Sequence, residues 1–204
     1  MTVEIMIFET IIITVNALNE PHIAPFGVRY VDDTVIISPY KPSTTLDNIL
    51  ATKTATLNIT DDVRVFAGAL TDDKAGYKTS NKTGHIKDVA LQANSHAGYR
   101  LANALSTISL QLISVKDDGQ RPQLIMQKVR TENHAPFLGF NRAQAAVIEL
   151  SILVSRLHML PKEKITSEIN YLQIAIDKTA GERELEAWGW LTEKIEHFYA
   201  ANKE

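Results

Sequence analysis

Two hydrophobic periods divide the chain of 204 residues. Up to about residue 138 the apolar positions fall in short runs of strand character, and from residue 139 they recur at helical spacing. Ile5 to Asn16 is rich in Ile, Val, Thr and Phe, residues that suit a pleated, packed surface. The run is apolar on both faces, which predicts a central strand. Leu18-Asn19-Glu20-Pro21 ends it with turn chemistry. His22 to Tyr30 returns to extended structure, with Pro25 and Gly27 marking a bulge or a close backbone approach. Asp32-Asp33 turns the chain into a third strand, Thr34 to Ser38. Pro39-Tyr40-Lys41-Pro42 then breaks regular structure. Ser43, Thr44 and Thr45 follow as candidate helix caps, ahead of Leu46, Ile49 and Leu50 at helical spacing.

Ala55 to Ile59 reads as a fourth strand. Asp61-Asp62 can cap a short helix through Val63, Phe66, Ala67 and Leu70. Residues 71 to 104 carry the weakest pattern, and 71 to 88 reads as a polar loop of the length that is usually functional. Leu105 to Val115 and Gln123 to Thr131 are expected strands, joined by the hairpin signal Asp117-Asp118-Gly119. Beyond residue 139, Ala145, Ile148, Ile152, Ser155 and Met159 share a helical stripe, widened by Val147, Leu150, Val154 and Leu157. Pro161 stops that helix and starts the next, whose stripe is Ile165, Ile169, Leu172 and Ile176. Gly181 punctuates before a third helix, Leu185 to Ala200, carrying Trp188 and Trp190. The expectation is a mainly β protein with added α: a barrel over 1–138 and a helical region over 139–204.

Composition narrows the chemistry. There is no cysteine, which excludes disulfides, thiolate catalysis and Cys-bound metal centres. Redox chemistry would therefore need a bound cofactor. A net charge of -3 gives no general pull toward nucleic acid or anionic membrane. The six histidines are scattered, with no metal-ligand spacing. Met1 to Thr10 contains Glu4 and Glu9 but no basic residue, unlike a signal peptide. The longest apolar stretch, Ala143 to Leu160, is broken by Glu149, Arg156 and His158. A soluble, cytoplasmic protein without nucleic-acid or membrane partners is expected.

Four segments could carry a function. Ser38 to Thr45 combines a strand end, a kinked loop, the cation Lys41, the hydroxyls of Ser43, Thr44 and Thr45, and a helix start. Helix N-termini present unpaired N–H groups and partial positive charge, so this set can form a phosphate pocket or simply a capped helix. In Ala24-Pro25-Phe26-Gly27-Val28-Arg29, Pro25 removes a donor and Gly27 a side chain. That leaves an uncrowded strand on which a flat ring could lie, with Arg29 on the face of Gly27. An edge strand with a bulge reads the same way. Asn58, within Leu57 to Asp62, would offer a ligand an amide or bond to neighbouring backbone. Asn141 is an expected helix cap, and Arg142 opposes the helix dipole and calls for an anionic partner.

Taken together, Phe8-Glu9-Thr10, Ile23 to Arg29, Lys41-Pro42-Ser43-Thr44-Thr45, Leu57 to Asp62, Phe140-Asn141-Arg142-Ala143 and Ser155-Arg156-Leu157-His158 resemble the DUF447 family. Six ordered matches over nearly the whole chain make the resemblance specific, with 71–104 matching least. It implies a flavin-reductase-like split β-barrel that binds FMN, a homodimer with the flavin at the interface, and an association with methanopterin-linked one-carbon metabolism. A flavin-dependent oxidoreductase accepting electrons from a nicotinamide is one function it implies. A non-catalytic FMN-binding or flavin-carrier protein is the alternative, and a deazaflavin or pterin in place of FMN is a third reading. The resemblance strengthens the phosphate-pocket reading of Lys41 to Thr45, and it assigns no catalytic residue and no substrate.

Overall fold

The computed structural model describes residues 6–71 and 90–202, which fall into two compact units. The first runs to Thr60 and resumes from 90 to Pro136; the second holds the described residues from Asp61 to Thr71 and from Phe137 onward.

The first unit is a closed six-stranded antiparallel barrel. Its strands are β1 (Phe8–Val15), β2 (Pro21–Val31), β3 (Thr34–Ile37), β4 (Thr54–Ile59), β7 (Ser106–Lys116) and β8 (Gln123–Asn133), in the order β1-β2-β3-β8-β7-β4. β1 is central as expected, paired on one side with β2 and on the other with β4, and Thr10 to Val15 are all buried. Period-two alternation fills the interior with Ile12, Val28, Val35, Ile37, Ala55, Leu57, Ile108, Leu110, Leu124 and Met126. Helix α1 (Thr44–Thr52) adds Leu46 and Ile49 to the same cluster. Lys53 ends α1 in the left-handed region with φ of 62°, where the chain reverses into β4.

A second, two-stranded sheet, β5 (Leu91–Asn94) with β6 (Gly98–Leu101), belongs to this unit and was not foreseen. It lies in the stretch of weakest pattern, 71–104; the polar loop expected over 71–88 falls, beyond residue 71, outside the described residues. The hairpin is hard to read because, beside the buried Leu101 and Ala97, it is held by polar side chains. Asn94 Nδ2 donates to Thr56 Oγ1 at 3.3 Å and to Ser109 Oγ at 3.2 Å, and Thr56 Oγ1 donates to the Ala97 carbonyl at 3.2 Å.

The second unit packs α2 (Arg64–Thr71), α3 (Arg142–Val154), α4 (Lys162–Thr179) and α5 (Glu182–Ala201) around one apolar cluster. Two expectations need correction. The buried face of α3 is Ala143, Ala146, Val147, Leu150, Ser151 and Val154, whereas Ala145, Ser155 and Met159 are exposed. Both faces of this helix are apolar, so periodicity alone could not choose; contact with α2, α4 and α5 does. The helix also ends at Val154, six residues before Leu160, in a run of tight turns such as Arg156 N–H to the Leu153 carbonyl at 3.0 Å. Trp188 is buried within the unit, its Nε1 donating to Gln173 Oε1 at 3.0 Å.

At the head of α2, Asp62 is fully buried and accepts from Arg64 Nη2 at 2.7 Å and Nε at 2.9 Å. Burial alone would raise its pKa. The hydrogen bonds and charge of Arg64, with the more distant Arg183, outweigh that and hold the carboxyl below its ordinary value. No described helix is long and apolar enough to cross a membrane.

Candidate functional site

The segment from Ser38 to Thr45 leaves β3 and enters α1. Ser43 adopts an extended backbone and caps the helix, its Oγ accepting from Leu46 N–H at 3.2 Å. That bond uses one lone pair and leaves the hydroxyl proton to be donated elsewhere. The next two amides, of Thr44 and Thr45, precede the first i→i−4 bond, Asp47 N–H to the Ser43 carbonyl. They have no acceptor among the described residues. Two main-chain donors and one hydroxyl thus sit at consecutive positions at the positive end of a nine-residue helix, and an anion is what such a set accepts.

The cation of this segment is already paired. Lys41 Nζ lies 3.0 and 3.1 Å from the two oxygens of Asp117, at the tip of the β7–β8 hairpin. Lys41 and the Gly119 amide, which donates to Asp117 Oδ1 at 2.9 Å, hold the Asp117 carboxyl below its ordinary pKa. The same hairpin supplies Arg121, whose Nε donates to the Ser38 carbonyl at 3.2 Å and whose guanidinium lies 4.6 Å from the Tyr40 ring centre. Ser38 Oγ is buried without a hydrogen-bond partner among the described residues. Neither Asp117 nor Arg121 was singled out as a site residue. The sequence signal there was a turn, and 76 positions separate Asp117 from Lys41.

The expected ring platform lies on β2. Gly27 and Arg29 share the outer face of that strand, because Phe8 and Thr10 pair with Val28 and Phe26 on the inner one. The space above Gly27 is already used: a Cβ there would stand 2.7 Å from Ile7 Cγ2 and 3.2 Å from Glu9 Oε1. The glycine thus makes room for the Ile7 and Glu9 side chains, and Ala24 and Pro25, on opposite faces of β2, are both half-buried. Arg29 is half-buried opposite Ile36, and no hydrogen bond or ion pair joins it to Lys41, Ser43 or Thr44.

Burial bears on several of the expected contacts. Asn58 is 0% exposed, and its side chain is consumed inside the barrel wall. Nδ2 donates to the Ile11 and Thr56 carbonyls at 3.3 and 3.2 Å, while Oδ1 accepts from Leu101 N–H at 2.9 Å. It joins β1, β4 and β6 and has nothing left for a ligand. The side chains of Val28 and Thr45 are buried as well, so only their backbone could serve; Phe26 packs half-buried against the barrel core. In the helical unit Asn141 caps α3, accepting from Ala143 N–H at 2.8 Å and donating to the Thr179 carbonyl at 3.0 Å. Arg142 is exposed one residue later and makes no ion pair among the described residues. Within the segment from Ser38 to Thr45, Lys41 and Thr44 are exposed and Ser43 is half-buried, so their side chains remain accessible.

Comparison with known proteins agrees with this frame. The chain belongs to the DUF447 family, described as proteins of unknown function: the N-terminal domain model matches residues 8–135 and a second model matches 141–193. The FMN-bound protein MM1853 from Methanosarcina mazei, of the same family, is similar with a TM-score of 0.74 and 18% identity. That match covers 94% of this chain and 96% of that one. A protein assigned as a flavin reductase with a split-barrel domain, from Shewanella frigidimarina, gives a TM-score of 0.53 at 13% identity over 62% of this chain and 66% of its own. The NADH:FAD oxidoreductase SgcE6 of Streptomyces globisporus gives 0.50 at 11% identity, over 62% and 75%. The fold is thus the flavin-reductase-like split barrel with a C-terminal helical part.

Proposed function

We propose that this protein binds FMN, with the phosphate ester held by Lys41, the hydroxyls of Ser43 and Thr44, and the Thr44 and Thr45 amides. The observation that carries the reading is the pair of amides without an acceptor at the start of α1, beside a capping hydroxyl and a lysine. The FMN-bound relative of the same family supports the choice of ligand. Ala24, Pro25 and the outer face at Arg29 are proposed to meet the ring system. Arg142 is kept as a third cation of the reading.

The activity we propose is that of a flavin-dependent oxidoreductase with a nicotinamide or a small molecule as partner. A bound flavin supplies hydride and electron transfer, so the protein has to bind, orient and exclude water rather than provide a strong acid or base. The similarity to an NADH:FAD oxidoreductase favours this reading. Family resemblance adds methanopterin-linked one-carbon metabolism as its setting. We also propose a homodimer, because large apolar side chains stand in solvent. In the barrel unit these are Met6, Ile7 and Phe8; in the helical unit they are Phe137, Leu138 and Phe140 at 55, 89 and 100% exposure.

Titrating FMN and riboflavin into the wild type and Lys41→Ala tests the binding reading. The substitution should weaken FMN about tenfold to a hundredfold, the loss of one charge-assisted hydrogen bond, and leave riboflavin unchanged. Equal losses for both ligands would reject the phosphate assignment. Anaerobic mixing of the FMN-loaded protein with NADH and NADPH tests the activity. A flavin that stays oxidised with both rejects nicotinamide oxidation and leaves the flavin-carrier alternative. Light scattering reports the oligomer, and a monomer at micromolar concentration would reject the dimer.

A further inference from the structure

The phosphate-binding reading of Lys41 leaves open why that lysine is paired to a carboxylate at the very place where a ligand anion would bind. Both Asp117 oxygens face Lys41 Nζ, at 3.0 and 3.1 Å, and the Gly119 amide donates to the same carboxylate. A carboxylate taking one ammonium and one main-chain N–H uses the kinds of donor that a phosphate takes.

The pair does not hold the two loops together by itself. Lys41 N–H donates to the Gln120 carbonyl at 3.0 Å, Arg121 Nε donates to the Ser38 carbonyl at 3.2 Å, and Arg121 stacks over Tyr40. Asp118 adds rigidity to the hairpin tip by accepting from Arg121 N–H at 2.8 Å. The hairpin is thus fastened to the loop by one main-chain bond and by the Arg121 side chain, and these contacts present the Asp117 carboxylate to Lys41 independently of the ion pair. The ion pair itself is the exchangeable part: its side chains are 41% and 58% exposed, so water can replace either partner.

We infer that Asp117 is a specificity-determining residue of the phosphate site, an internal anion that competes with the phosphate ester of FMN for Lys41. The inference rests on the phosphate-binding reading and goes beyond it. A phosphate monoester approaching Lys41 meets a fixed negative charge, and its own charge of about −1.5 to −2 is repelled unless the carboxylate yields the lysine. Riboflavin, lacking that charge, is indifferent. Asp117 therefore lowers the preference for FMN over riboflavin and keeps the cofactor exchangeable.

Asp117→Asn tests this. Asparagine keeps the size and the oxygen that accepts from Gly119; it removes the charge and replaces the second oxygen, which accepts from Lys41, with an amide NH2. Fluorescence titration of FMN and riboflavin into wild type, Asp117→Asn, Lys41→Ala and the double variant is the experiment, with thermal melts to confirm folding. Asp117→Asn should tighten FMN about threefold to tenfold at low salt, leave riboflavin unchanged, and lose the gain as ionic strength rises. In the Lys41→Ala background the gain should vanish, because the contested cation is gone. FMN affinity unchanged or weakened in Asp117→Asn overturns the inference and shows that the carboxylate merely positions Lys41. A gain that persists without Lys41 also overturns it, since general repulsion would then suffice. If Lys41→Ala alone leaves FMN binding unaltered, the phosphate reading fails first and this inference fails with it.

Discussion

Two polar regions of the barrel unit use similar side chains to opposite ends. On the outer wall of β4 and β7, Thr56, Asn58, Thr107 and Ser109 are buried, and the β5–β6 hairpin adds Asn94. Each finds a partner there, down to Thr107 Oγ1 at 2.9 Å from His134 Nε2. At the other region, Lys41, Ser43 and Thr44 face solvent, in whole or in part, with amides that have no acceptor and an ion pair that water can open. Buried polar groups must be satisfied internally, so they report on assembly; exposed groups with spare hydrogen-bonding capacity are those a ligand can use. The contrast explains why Asn58, chemically a good ligand residue, belongs to the scaffold.

The sharpest way to break this contrast is Asn58→Ala. It strands the buried Leu101 amide and removes a tie between three strands, so a destabilisation of about 3 kcal/mol is expected. FMN affinity per folded molecule should not change; denaturant midpoints with flavin titration separate the two. If affinity collapses while stability holds, Asn58 is a site residue after all.

Next in size is Lys41→Ala on the exposed side. Its expected tenfold to hundredfold loss of FMN binding should come with a stability change within about 0.5 kcal/mol, as for a solvated surface pair. A large fall in melting temperature would move Lys41 to the scaffold side. Ser43→Ala mixes the two roles, since the cap to Leu46 contributes about 1 kcal/mol to stability while the free hydroxyl proton faces the proposed anion. It should lower the melting temperature slightly and weaken FMN less than Lys41→Ala does. Equal or greater weakening would make the hydroxyl the main phosphate contact.

Acid provides the mildest probe. His22 lies half-buried on β2, and burial lowers its pKa below the ordinary 6.5. The unfolded chain then takes up the proton first, so stability is present above about pH 6.5 and falls as the pH drops below it. Urea midpoints at pH 7.5 and 5.5 should show that fall in the wild type and less of it in His22→Gln. An identical fall in both would trace the slope to other groups. Asp117 has its pKa lowered by Lys41, so its pair persists over the same range, and a step in FMN affinity there would report the second ionisation of the phosphate ester, at about pH 6, rather than the carboxylate.

The strand periods, the Asp117-Asp118-Gly119 hairpin and the helical stripe of α4 were legible because each follows from local spacing. The family marks were legible for the same reason, being contiguous runs such as Lys41 to Thr45. The β5–β6 hairpin was not, since its polar attachments are hydrogen bonds that Asn94 and the Leu101 N–H donate to Thr56 and Asn58, positions far along the chain. Nor could the pattern of α3 show which of two apolar faces is buried, or that Ile7 and Glu9 cover Gly27.

By itself the amino-acid sequence determined what short-range chemistry dictates: strand and helix periods, the loop that begins α1, the absence of thiol chemistry and the family. Tertiary structure alone decided which polar residues are spent and which remain available. That depends on long-range pairing, and the partner of Lys41, 76 positions away on a different hairpin, is set by the closure of the barrel rather than by any neighbour in sequence.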